Sequence, residues 1–154
     1  MTFDHVRARY CPCGSFPPDL PKPSRNELDA LVVQFKRSYP PSFVAFQLRE
    51  CGSTPMAPRD WDGFGWANPE LEPYMSLRSV LECAEESRVP SHLSPFRHDE
   101  GNFFCFDTSR PDSTQEYPVV FWDHDERGVL NVPHYQWPTF LEWLASGLEG
   151  CVRK

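Results

Sequence analysis

No apolar run in the chain approaches the roughly 20 residues that a membrane-crossing helix needs. The opening "MTFDHVRARYCPCG" carries charge but no apolar core. It is therefore not expected to act as a secretory signal, and the cytoplasm is the expected location. Positive charge is also scarce, with 15 Lys and Arg against 22 Asp and Glu and a net charge of −7. Phosphate backbones are held by Lys and Arg, so direct binding to nucleic acid is disfavoured. A basic protein partner is electrically reasonable. The sequence has no phosphate-binding loop, no nucleophile motif and no internal repeat. Cysteine pairs are few. Cys11 and Cys13 stand as C-x-C rather than C-x-x-C, and Cys51, Cys83, Cys105 and Cys151 are dispersed. A zinc site on the first pair would have to draw remote ligands. Without a signal peptide, reduced thiols are expected rather than a disulfide framework.

What is present suits one globular domain. The chain has 154 residues, 40% of them hydrophobic, enough for a single core. Seventeen prolines imply many loops and short elements, and twelve phenylalanines supply buried area from few residues. Residues 1–23 lack periodicity and are expected to form an irregular N-terminal arm, with one domain over 24–154. Ser24 and Glu27 have the spacing of a capping box. Leu28, Leu31, Val32 and Phe35 follow as one apolar helical stripe. "YPP" at 39–41 is expected to stop that helix and open a second one, which carries Phe43 and Phe46 and stops at Gly52. Trp61, Phe64 and Trp66 are expected to anchor a loop and a short strand. Ser79 and Glu82 suggest a second capping box and a third helix.

The character then changes. "LSPF", "NFFCFDT", "YPVVFWD" and "GVLNV" are β-rich runs separated by turn-forming pieces, the pattern of an antiparallel meander. "VVFW" is apolar on both faces, as a strand covered on both sides would be. His134, Tyr135 and Gln136 read as a loop. Phe140, Trp143, Leu144 and Leu148 then fall at helical spacing, with Gly150 as the expected stop. Helices, a mainly antiparallel sheet and a closing helix make an α+β fold.

The run Asp123-His124-Asp125-Glu126 is the densest chemical candidate. Asp and His could ligate a metal with help from His98, Asp99 or Asp107, or act as an acid–base pair. The plain alternative is a solvated turn after a buried strand, and the other is a partner-facing edge. Between His98 and Glu126 stand eight acids and only Arg110 as a base, so this segment carries −7 and the rest of the chain balances. The expected contact residues are Asp99 and Glu100, then Asp112 and Glu116, then Asp123, Asp125 and Glu126. Trp61, Trp66 and Trp137 invite a hot-spot reading, with core packing expected for at least two. Cys83 and Cys105 sit in helix and strand patterns, where thiols behave as small hydrophobes.

The order of these pieces resembles the SUKH superfamily, which includes yeast cell-wall regulators of the Knr type and many bacterial immunity proteins. "YPPSFVAFQLRECG" follows the family's spacing through Pro40, Phe43, Phe46 and Gly52. Tyr39 replaces the usual leucine, and Gln47 stands where an aliphatic residue is usual. "EGNFFCFDT" matches through Gly101, Phe103, Phe104, Phe106 and Asp107. "YPVVFWDHDE" matches through Pro118, Val119, Phe121, Trp122, Asp123 and His124. "TFLEWL" matches the closing helix. The resemblance spans about Ser24 to Leu148 and leaves "CPCG" outside. It implies a non-enzymatic immunity protein that blocks a cognate polymorphic toxin, often a nuclease, with no cofactor. An adaptor of the Knr type is the alternative. A small metal-dependent hydrolase using His98, Asp107, Asp123 and His124 ranks last.

Overall fold

The computed structural model describes residues 1, 2, 4–6, 23–49 and 76–152. The expectations for Cys11, Cys13, Cys51, Gly52, Trp61, Phe64 and Trp66 lie outside the described residues, as do the side chains of Leu148 and Cys151. Among the described residues, no helix is long and apolar enough to cross a membrane.

Helix α1 spans Arg25–Phe35 and opens on the capping box anticipated from its sequence. The Ser24 N–H donates to Glu27 Oε2 at 2.7 Å, and the Glu27 N–H donates to Ser24 Oγ at 3.2 Å. The Ser24 N–H, followed by the Ser24 side chain, holds the Glu27 carboxyl below its ordinary pKa. The helix ends before "YPP". Lys36 takes a left-handed φ of 52° and donates its N–H to Val32 O and Val33 O, closing the last turn itself. "YPP" instead opens α2, Pro41–Arg49, with Pro41 as its first residue.

Helix α3, Leu77–Glu86, starts three residues earlier than the Ser79–Glu82 spacing suggests. Ser76 is its N-cap and accepts from the Ser79 N–H at 3.1 Å, so Ser79 occupies the third position rather than the cap. Either serine could cap by chemistry; Ser76 brings Leu77 into the core.

Strands β1 (Leu93–Asp99), β2 (Asn102–Asp107), β3 (Val119–Asp123) and β4 (Gly128–Val129) form an antiparallel meander in that order. A short β5, Gln136–Trp137, follows a 3-10 turn at Pro133–Tyr135 and pairs with the other end of β3. Gln136 is thus in the sheet, which a reading of 134–136 as loop missed. Helix α4 covers Phe140–Val152 and runs through Gly150. The Thr139 hydroxyl begins it, accepting from the Glu142 N–H and donating to Glu142 Oε2. Helices packed on an antiparallel sheet make the α+β architecture.

The sheet is apolar on both faces. Val119 and Phe121 join Phe96, Phe104 and Phe106 in a core with α1, α2 and α4. Val120 and Trp122 face the other way with Phe103, Cys105 and Leu93. Helix α3 lies against β1 and divides its side chains, with Leu77 and Leu81 in the first core and Val80 and Ala84 in the second. The period of two in a strand puts Val119 and Phe121 on one face of the sheet and Val120 and Trp122 on the other. Burial pushes the Cys105 thiol pKa up and raises that of half-buried Cys83. Thiols held protonated in this way are inert packing groups.

The connection between α1 and α2 closes the outer edge of β1. Arg37 is buried and donates from Nη1 to Pro90 O and Leu93 O, both at 2.7 Å. Its Nη2 donates to Glu85 Oε1 at 2.8 Å and Val89 O at 3.3 Å. The Ser38 N–H donates to Ser94 Oγ, and the buried Tyr39 hydroxyl donates to Pro95 O at 2.7 Å. Pro95 has no N–H to offer a further strand, and the register shifts between Pro95 and Arg97. Gln47 is fully buried, and among the described residues its amide has no hydrogen-bond partner. Nothing in the structure explains a glutamine there.

Candidate partner-binding surface

The meander places its acidic residues at two opposite ends. Turn Glu100–Gly101 joins β1 to β2, and turn His124–Arg127 joins β3 to β4, both at one end of the sheet. Asp99, Glu100, Asp123, Asp125 and Glu126 gather there. Asp112 and Glu116 lie in the 108–118 connection at the other end, beside Asp107. The seven expected contact residues therefore do not form one face.

The first end is tightly built. Glu100 and Gly101 have φ of 49° and 90°, both left-handed, as a two-residue hairpin turn of matching twist requires. The Gly101 N–H donates to His98 Nε2 at 3.1 Å. A Cβ on Gly101 would lie 3.2 Å from Cε1 and Nδ1 of His124, so the two turns touch. The His124 N–H donates to Asn102 Oδ1 at 3.0 Å, and its Nδ1 is 2.8 Å from the same oxygen. Its Nε2 lies 3.2 Å from Asp125 Oδ1. Asp123 Oδ1 accepts from the N–H groups of Asp125 and Glu126, both at 2.9 Å. Arg127 closes the turn with a φ of 49°.

Asp123 thus holds its own turn, His124 pins that turn to β2, and Asp125 and Glu126 project outward. Asp125 is 83% exposed at its side chain. Gly101→Ala combines an unfavourable φ with this contact, and we expect it to cost more than about 1 kcal/mol. A urea midpoint equal to that of the parent chain would show that the turns do not depend on this contact.

The other end is committed internally. Glu116 accepts from the Ser42 N–H at 2.9 Å and the Ser42 hydroxyl at 2.6 Å. Its carboxylate therefore sits on the first turn of α2, where a helix favours negative charge. Asp112 Oδ1 accepts from the Thr114 hydroxyl and N–H, both at 2.7 Å, and from the Glu116 N–H. Those bonds, led by the Thr114 hydroxyl, lower its pKa. For Asp107, burial alone pushes the carboxyl up. Hydrogen bonds from Ser109 and Arg110 outweigh it, leaving the pKa below the usual value. Arg110 Nε is 2.6 Å from Asp107 Oδ2, so that charge is paired.

At the double-turn end, five carboxylates stand against Arg97 and Arg127, a net −3 before any histidine charge. Arg97 lies 3.7 Å from Asp99, a long contact.

The set His98, Asp107, Asp123 and His124 is not brought together. Leu93 pairs with Asp107 and His98 with Phe103, which puts Asp107 and His98 at opposite ends of the hairpin. Among the described residues, no group of three His, Cys, Asp or Glu is placed to hold a metal ion. Trp137 is half-buried with its ring 5.9 Å from Phe104, and Tyr135 stacks on Phe121 at 4.7 Å.

Comparison with known proteins agrees with this architecture. The family model SUKH_5, described as SMI1-KNR4 cell-wall, matches residues 12–149. That match begins upstream of Ser24 and takes in Cys13. No curated protein matches the chain. A solved structure titled "Crystal structure of protein from Pseudomonas syringae pv. tomato" superposes with a TM-score of 0.63 at 18% identity. The match covers 91% of this chain and 93% of that one, a likeness of fold. With the meander, its flanking helices and the family match over residues 12–149, the chain belongs to the SUKH family of SMI1-KNR4-like proteins.

Proposed function

We propose that the chain is an immunity protein that binds a cognate polymorphic toxin in the cytoplasm and blocks it by occlusion, without catalysis of its own. The observation that carries this reading is family membership. The double-turn end supports it as a place of contact. There Asp125 and Glu126 project from a turn tied down by Asp123 and His124. A turn fixed before binding loses little freedom when a partner arrives, so its charges are used efficiently. A nuclease domain, basic because it grips phosphates, is the toxin class whose field matches.

The reading needs no nucleophile, phosphate loop or metal cluster. It assigns Asp99, Glu100, Asp123, Asp125 and Glu126 to contact. Asp112 belongs to the same proposal at the opposite end, and Glu116 would have to serve a partner while holding Ser42.

Co-expression with the product of the adjacent gene tests the reading. Rescue of growth together with co-purification is the expected result. A toxic neighbour that neither binds nor is neutralised would sink it. Reversing Asp125 and Glu126 to lysine should slow association by about tenfold at low salt and flatten its salt dependence. Association equally fast at every salt concentration would remove these acids from the interface. If the neighbour is harmless and a cellular protein co-purifies instead, the Knr-type adaptor reading takes over.

A further inference from the structure

Resting on the partner-binding reading above, we infer that the open sheet edge formed by β4 and residues 130–132 docks an extended, lysine- or arginine-bearing segment of the partner as an added strand.

The two edges of the meander differ. Arg37, Ser38, Tyr39 and Pro95 close the β1 edge. The β4 edge has no such cover among the described residues. Val129 pairs with Trp122 and Gly128 with Asp123, while the Leu130 N–H donates to Phe121 O. Backbone groups alternate in direction along an antiparallel strand. Gly128 and Leu130 therefore point into β3, and the N–H and C=O groups of Val129 and Asn131 point outward. Exposure alternates in step: Arg127, Val129 and Asn131 are exposed, and Gly128, Leu130 and Val132 are half-buried. Val129 is 39% exposed, one of few large apolar residues left so open among the described residues.

An edge of this kind is a template for another strand. Charge identifies the occupant. The same chain segment begins at Asp125 and Glu126, which project beside the edge. A docking strand that alternates apolar and basic residues would rest the first kind on Val129 and bring the second to these carboxylates. Arg127 disfavours charge at the position facing it, so the pattern expected is alternating rather than uniformly basic.

The test uses peptides, which need no identified partner. An alternating Lys-Val peptide is titrated into the full chain and amide shifts are followed by NMR. The expected result is movement of the Val129 and Asn131 amides together with the 124–127 turn, and no such movement with a Glu-Val peptide. Val129→Pro removes an outward donor without touching the β3 ladder, and should abolish the edge response with the fold intact by circular dichroism. If that variant unfolds, the double reversal D125K/E126K serves instead and should switch the preference to the Glu-Val peptide. Shifts confined to the acidic turn, equal binding by V129P, or an unaltered preference in the double reversal would overturn the edge proposal.

The neighbouring gene product then separates the two ideas. Equal capture by the parent chain and V129P removes the edge and leaves the immunity reading standing. Failure of growth rescue with an intact Lys-Val response sinks the immunity reading and keeps the edge as a strand-docking surface.

Discussion

Phe43→Ala will lower the stability of the fold by about 3–5 kcal/mol, a large share of the roughly 5–15 kcal/mol that holds a domain together. Phe43 is buried and its ring touches residues of β1, β2 and α4 at once. Its ring centroid lies 5.3 Å from Phe106 in β2, 5.6 Å from Phe96 in β1 and 5.3 Å from Phe140 in α4. Tyr39, which reaches the carbonyl of Pro95, lies 5.0 Å away. Truncation removes the ring's own burial and leaves a cavity bounded by other rings. Those rings are packed against one another, Phe96 and Phe106 stacking at 4.4 Å, so collapse into the space is restricted. Chemical denaturation followed by circular dichroism reads the effect. A midpoint within error of the parent would mean that the aromatic cluster repacks freely and that its rings do not hold one another in place. Phe43→Leu keeps most of the volume and should cost much less.

Arg37→Met should cost on the order of 3–5 kcal/mol, because three carbonyls lose a donor at once. Pro90 O, Val89 O and Leu93 O all accept from this one side chain. Val89 and Pro90 lie in the connection from α3 to β1, and Leu93 opens β1. The ion pair with Glu85 contributes little of this, since the Glu85 side chain is 54% exposed. A series separates charge from geometry. Arg37→Lys keeps the charge but cannot present two forked nitrogens, so its stability should fall between those of Met and Arg. Glu85→Gln should change stability by under about 1 kcal/mol. If lysine restored full stability, the planar fork would not be what matters.

Neither residue has the same status in the sequence. Phe43 could be read from its spacing to Phe46 and its place after "YPP". Arg37 could not, because nothing in "QFKRSYP" separates a buried arginine from a solvated one. Its role exists only because residues 85–93 return to the end of α1, a contact across some fifty positions. Thr139 and Glu142 were legible in principle, since T-x-x-E repeats the spacing that worked for Ser24 and Glu27.

The acidic residues show the same division. Eight acids between His98 and Glu126 are a plain count, and a turn after "VVFW" follows from the loss of apolar residues. The count says nothing about direction. The chain reverses at 100–101 and again across 108–118, which sends Asp112 and Glu116 to one end and Asp123 to Glu126 to the other. Glu116 then meets Ser42, a residue 74 positions away, and Asp107 meets Arg110.

By itself the sequence determined the α+β class, the meander, a strand buried on both faces and the order of motifs that marks the family. All of these depend on periodicity and local turn chemistry, which are written within a few residues of each position. Only the tertiary structure decided which acids project, which hold the chain together, that Arg37 closes one sheet edge, and that no described residue covers the β4 edge. Those outcomes depend on pairings between distant segments, and no local pattern encodes them.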